Sequence, residues 1–105
     1  MASTSAQTTI SSKTSGAGTT IDFTDAKSKV TMVLIPSGTI TGGLVTVQAS
    51  QDNTNWVDLY VLDPAIPANQ FYTSDSGAFR YWRGSVSAAI TGGGSVTATL
   101  MEADR

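Results

Sequence analysis

The sequence predicts an all-β fold: an antiparallel β-sandwich, jelly-roll-like, of about eight strands. Three observations carry this. Short runs of β-branched and aromatic residues recur between turn signals about 8–12 residues apart. Serine and threonine number 29 among 105 residues, against six basic and eight acidic ones, a composition that suits pleated strands. One pattern also occurs twice: Ile40-Thr41-Gly42-Gly43 opens into Leu44-Val45-Thr46-Val47, and Ile90-Thr91-Gly92-Gly93-Gly94-Ser95 opens into Val96-Thr97-Ala98-Thr99-Leu100. Each copy is a glycine turn feeding an alternating strand, because glycine takes positive φ where other residues clash. Either the two halves hold comparable places in a two-layer fold, or one turn chemistry is simply reused. No segment keeps helical periodicity for longer than a turn.

The elements follow in order. Residues 1 to 20 hold eleven Ser/Thr, one charge at Lys13 and one bulky aliphatic at Ile10. Such a stretch has little apolar surface to bury against its ordering entropy. Residues 1–18 therefore read as a flexible arm, or as a strand formed only against a partner, and residues 19–105 as the sandwich. Thr19 to Phe23 alternates, with Ile21 and Phe23 on one face, and Asp25 to Ser28 reads as a polar connection. Lys29 to Ile35 is an apolar strand ended by Pro36-Ser37-Gly38, since proline cannot donate to a ladder. A short Thr39–Thr41 strand, the first glycine turn and a Leu44–Ser50 strand come next, the last turning Val45, Val47 and Ala49 inward.

Gln51 to Asn55 is a turn by composition, because Asp and Asn bond their own backbone and tolerate left-handed geometry. Asp52, Asn53 and Asn55 are read as turn formers only. Trp56 to Leu62 is a strand, and Asp63 to Gln70, with Pro64 and Pro67, is the crossover between sheets. Phe71–Thr73 is short and Ser74–Gly77 turns. Ala78 to Ala89 is a long strand broken or bulged at Gly84. The second glycine turn and a Ser95–Glu102 strand close the domain.

Composition removes several function classes. The formal charge is −2 with no basic run, which argues against nucleic acid as a partner. There is no cysteine or histidine, so Ser-His-Asp and Cys-His catalysis and His/Cys zinc sites are excluded. No apolar stretch approaches the ~20 residues of a membrane helix, and no secretory leader is expected at the N-terminus. The carboxylates Asp52 with Asp58, and Asp22 with Asp25, imply no aromatic-lined cleft of the kind a glycosidase pair needs. Asp52, Asn53, Asn55 and Asp58 do not match calcium-loop spacing. Gly92–Gly94 is followed by no Lys-Ser/Thr, so it is not a phosphate loop. No catalytic residue, cofactor or metal site is expected.

A sandwich strand with one wet face should alternate apolar with polar. Three strands are apolar on both sides. Val30, Met32 and Leu34 lie opposite Val33 and Ile35; Trp56, Tyr60 and Leu62 opposite Val57, Leu59 and Val61; Phe79 and Tyr81 opposite Trp82 and Val86. The second faces are either assembly surfaces or are covered by a loop or the arm. Arg80 and Arg83 bracket Tyr81 and Trp82, the composition of protein–protein hot spots; the alternatives are Trp82 as core with two solvated arginines, and a platform that stacks on sugars or bases, the latter poorly served without a basic field.

The segment from Val45 to Leu59, with its Ser50-Gln51-Asp52-Asn53-Thr54-Asn55-Trp56 turn, resembles the strand, S-x-D-x-x-x-W, strand hairpin of small β-sandwich virion proteins of tailed phages. Phe79-Arg80-Tyr81-Trp82-Arg83, followed by a glycine turn and a closing Val-Thr strand, is similar too. The resemblance spans about residues 30 to 102. Asn53 stands where that group usually has glycine, a mild departure because Asn also accepts positive φ. The resemblance implies a non-enzymatic capsid decoration or cement protein, commonly a trimer. Such a protein is assembled in the host cytoplasm and sits in the virion on the major capsid protein or another virion protein. Contacts are expected at Trp56, Tyr60, Arg80, Tyr81, Trp82 and Arg83, with Thr8, Thr9, Ile10 and Lys13 in the docking arm. Two other readings stand beside it: a carbohydrate-binding or adhesion module, and a structural module of the tail or baseplate.

Overall fold

The computed structural model describes residues 6–27, 29–66, 68–74 and 78–102. Nine strands fill the described chain: β1 (Gln7–Lys13), β2 (Gly16–Ala17), β3 (Ile21–Lys27), β4 (Val30–Ser37), β5 (Gly42–Ser50), β6 (Trp56–Leu62), β7 (Gln70–Ser74), β8 (Phe79–Thr91) and β9 (Ser95–Glu102). They form two antiparallel sheets, a four-stranded one ordered β1-β9-β4-β7 and a five-stranded one ordered β2-β8-β5-β6, in which β3 also pairs β8. The fold is a β-sandwich. Of the expected segments, residues 1–5 of the arm, Ser28, Pro67, residues 75–77 of the turn and residues 103–105 lie outside the described residues.

Apolar alternation builds the core. Val30, Met32 and Leu34 of β4 and Val96, Ala98 and Leu100 of β9 turn inward from one sheet. Val45, Val47 and Ala49 of β5 and Trp82 and Val86 of β8 meet them from the other. Each fully buried large aliphatic contributes about 1.5–3 kcal/mol, so this cluster is the main stabilising term.

The N-terminal stretch is the largest correction to the sequence reading. Over its described residues it is no flexible arm: β1 pairs β9, with Ile10 opposite Ala98, and Ile10 and Thr9 are buried. The chain then crosses to the other sheet, where Gly16 and Ala17 pair Val86 and Ser85 of β8. One aliphatic suffices because the polar neighbours are satisfied inside the fold. Thr9 Oγ1 donates to the Thr19 carbonyl at 2.7 Å and accepts from the Gly84 amide at 2.9 Å. Gly18 donates to the Gly84 carbonyl at 2.8 Å, and a Cβ on Gly18 would run into the Thr9 carbonyl.

Three smaller differences also have physical causes. Gly84 is no bulge; it stays in register with Val47, and the irregularities of β8 fall further on, around Ser87 to Ile90. Thr39–Thr41 forms no strand, and Thr41 donates to the Thr91 carbonyl instead. β3 runs through Asp25 to Lys27, where a polar connection is expected.

The Asp63–Gln70 segment does carry the chain from the five-stranded sheet to the four-stranded one. The two glycine turns adjoin: Gly42 pairs Thr91, and the Thr41 and Thr91 hydroxyls lie 3.1 Å apart. Each turn lies at a crossing between sheets, one leading into β5 and the other into β9.

Candidate interaction surface

The two outer faces of the sandwich differ in kind. On the five-stranded sheet, register places Arg83, Gln48 and Asp58 in one row across β8, β5 and β6. Arg83 Nε donates to Gln48 Oε1 at 2.8 Å, and Gln48 Nε2 donates to Asp58 Oδ1 at 2.8 Å. The next row is Tyr81, Ser50 and Trp56, and the Arg83 guanidinium lies 4.0 Å from the Trp56 ring centroid. This face satisfies its polar groups internally.

The turn beside it is equally self-contained. Ser50 Oγ accepts from the Asp52 and Asn53 amides, and Asn53 takes φ 63°. Asp52 Oδ1 accepts from the Thr54 and Asn55 amides at 2.9 and 2.8 Å, and Oδ2 from the Asn55 side chain at 2.8 Å. These donors, the Asn55 backbone N–H first, hold the Asp52 carboxyl well below the usual carboxylate range. Asp52, Asn53 and Asn55 are turn formers, as their composition implies.

The expected contact residues are dispersed. Trp82 is 0% exposed and belongs to the core, so it is no contact residue: its Nε1 donates to the Phe79 carbonyl and its ring meets Phe79 edge-on, 5.8 Å between centroids. Tyr60 stacks on Tyr72 at 4.5 Å and 4°, closing the sandwich between β6 and β7. Arg80 makes a two-pronged pair with Asp22 at 2.7 and 2.9 Å, and that bond pushes the Asp22 carboxyl down. Trp56, Tyr81 and Arg83 share the outer face of the five-stranded sheet. Of the arm residues, Thr9 and Ile10 are inside the fold, Thr8 lies opposite Thr99, and Lys13 is half-buried at the end of β1.

Exposed apolar side chains stand on both outer faces: Val61, 48% exposed, beside Thr46 on the five-stranded sheet, and Phe71, Met101 and Ile35 on the four-stranded one. On the outer side of the four-stranded sheet, Phe71, Val33, Thr99 and Thr8 form one row, and Thr73, Thr31 and Met101 the next. Ile35 follows beside Thr97. Phe71 is 70% exposed, Met101 41% and Ile35 39%. The alternation of β4 signals Val33 and Ile35; Phe71 and Met101 join them only through register. The threonines between are partly paired, Thr31 with Thr73 at 2.8 Å.

Two clefts are formed among the described residues. One of about 380 Å³ lies between Pro36, Gly38, Thr39 and Ile40 on one side and Pro64, Ala65, Ala68 and Asn69 on the other. A smaller one, about 160 Å³, is bordered by Gln51, Asp52, Asn55, Val57 and Phe79. Among the described residues no three Asp, Glu, His or Cys side chains gather as metal ligands. No protein-family model matches the chain, and neither the curated proteins nor the solved structures contain a significant match.

Proposed function

We propose that the chain is a non-enzymatic structural protein of a phage particle, of the capsid decoration or cement type, which uses the outer face of its four-stranded sheet as a contact surface. One observation carries the proposal: Phe71, Ile35 and Met101 share that face with Val33 and stand exposed in water. Apolar area left in water costs about 25 cal/mol per Å² relative to burying it, and contiguous area of this kind marks a binding face. The S-x-D-x-x-x-W hairpin resemblance directs the reading to virions. Against the sugar-binding reading, one face of Trp56 is occupied by Arg83 and Tyr60 is stacked on Tyr72. A sugar platform at Trp56 or Tyr60 needs those faces open.

The test mixes the purified chain with phage particles lacking it and measures co-sedimentation. The wild type is expected to pellet with particles and to raise their resistance to heat, while Ile35→Lys stays in the supernatant with its own melting temperature unchanged. A wild type that never pellets, or an Ile35→Lys variant that binds as well as wild type, contradicts the reading.

A further inference from the structure

Sheets that must stay apart protect their edges with charges, prolines, bulges or short strands, because an unpaired edge is a template for another chain. Four edges are open to inspection here. β1 is bulged twice against β9 and takes a positive φ at Ser12. β3 is irregular between Asp22 and Lys27 and carries charge at both positions. β6 is bulged at Leu59 and carries Asp58.

β7 is the shortest of the four at five residues, but it has none of the bulges or charges. Its sequence, Gln-Phe-Tyr-Thr-Ser, holds no charge and no proline, and it keeps unbroken register with β4 from Val30–Ser74 to Leu34–Gln70. It ends the four-stranded sheet, and among the described strands only β4 pairs with it. Its Phe71 is the most exposed large hydrophobic among the described residues.

We infer that β7 pairs antiparallel with β7 of a second copy of this chain, joining two four-stranded sheets into one of eight. The occupant follows from the strand's chemistry. A two-fold axis forces a strand to face its own sequence, which penalises any strand whose charges would then meet. β7 brings no charge to that axis. Centred on Tyr72, the pairing sets Phe71 against Thr73 and Gln70 against Ser74 of the other copy. An aromatic residue beside a β-branched one is a favourable cross-strand pair. The joined sheet presents both copies' Phe71, Val33 and Ile35 on one continuous outer face. This pairing goes beyond the particle role and holds for the sandwich whatever surface it decorates.

The experiment is light scattering across a concentration series, joined to amide hydrogen exchange at high and low concentration. The wild type is expected to approach twice 10.9 kDa at high concentration and to return to 10.9 kDa on dilution. Exchange across Phe71–Thr73 should slow at least several-fold in the concentrated sample, with β1, β3 and β6 unaffected. Phe71→Lys, at an exposed site, should remain a monomer throughout with its melting temperature unchanged. A monomer at every concentration, a three-fold mass, a dimer that survives Phe71→Lys, or exchange at β7 indifferent to concentration overturns the inference. A dimer that fails to bind particles removes only the particle role, and a monomer that binds them removes only the β7 pairing.

Discussion

Ile10 and Gly84 interlock: a Cβ on Gly84 would stand 2.9 Å from Ile10 Cδ1 and 3.1 Å from Met32 Sδ. A residue from the chain's polar start thus occupies the space that a glycine in the central strand β8 leaves open. Gly84→Ala should overpack this point and cost about 1–3 kcal/mol in urea unfolding. Shortening the opposing side chain with Ile10→Val should recover part of that loss, so the double variant is less destabilised than the two single effects summed. Strict additivity would place the two residues out of contact.

β1 is part of the sandwich, so its loss should be felt throughout. Ile10→Ala removes a fully buried side chain and should cost about 2–5 kcal/mol, a large share of a typical domain's stability. Deleting residues 1–13 should abolish cooperative unfolding, measured by circular dichroism on heating. A truncated chain that melts like the full one would return these residues to the role of a dispensable arm.

Thr9 serves two backbone groups with one hydroxyl. Thr9→Val keeps the shape and leaves the Gly84 amide and the Thr19 carbonyl without that partner, at a cost of about 1–3 kcal/mol. Thr9→Ser keeps the hydroxyl and should lose much less. Equal melting temperatures for Thr9→Val and the wild type would show that the bonds add nothing.

Asp52 and Asp22 are both held below the ordinary carboxylate range, by turn amides and by Arg80 respectively. A carboxyl whose folded value is depressed stabilises the fold above its unfolded value, about 3.9, because below that the unfolded chain takes up the proton first. Stability should therefore fall as pH drops from about 5 toward 2, and Asp52→Asn should flatten that slope while lowering stability at neutral pH. Identical slopes for variant and wild type would mean that the Asp52 carboxylate gains nothing on folding.

Much of the fold was legible because its strands advertise themselves. Val30 to Ile35 and Val96 to Leu100 alternate toward the core, Asp52 closes a turn by its own chemistry, and Asp63 to Gln70 crosses between sheets. β1 was hidden because its only aliphatic finds its neighbours, Ala98 and Gly84, far along the chain. Its buried threonine looks polar until the Gly84 amide is placed beside it. The bulge at Leu59 puts Tyr60 and Leu62 on the side of Val57, a reversal that no period-two count reveals. The contact residues were the least legible. Trp82 sits between Tyr81 and Arg83 and Trp56 between Asn55 and Val57, and register, not these neighbours, sends the first into the core and the second outward. Phe71 and Met101 sit in unremarkable strands and become a surface only when β4 lies between them.

The most direct measurement of the particle role is quantitative mass spectrometry of gradient-purified phage particles from cells in which the chain is made. A structural part of the shell should appear in fixed proportion to the major capsid protein and remain after washing. Recovery of the chain only in the soluble fraction, with none in the particle band, would contradict the account.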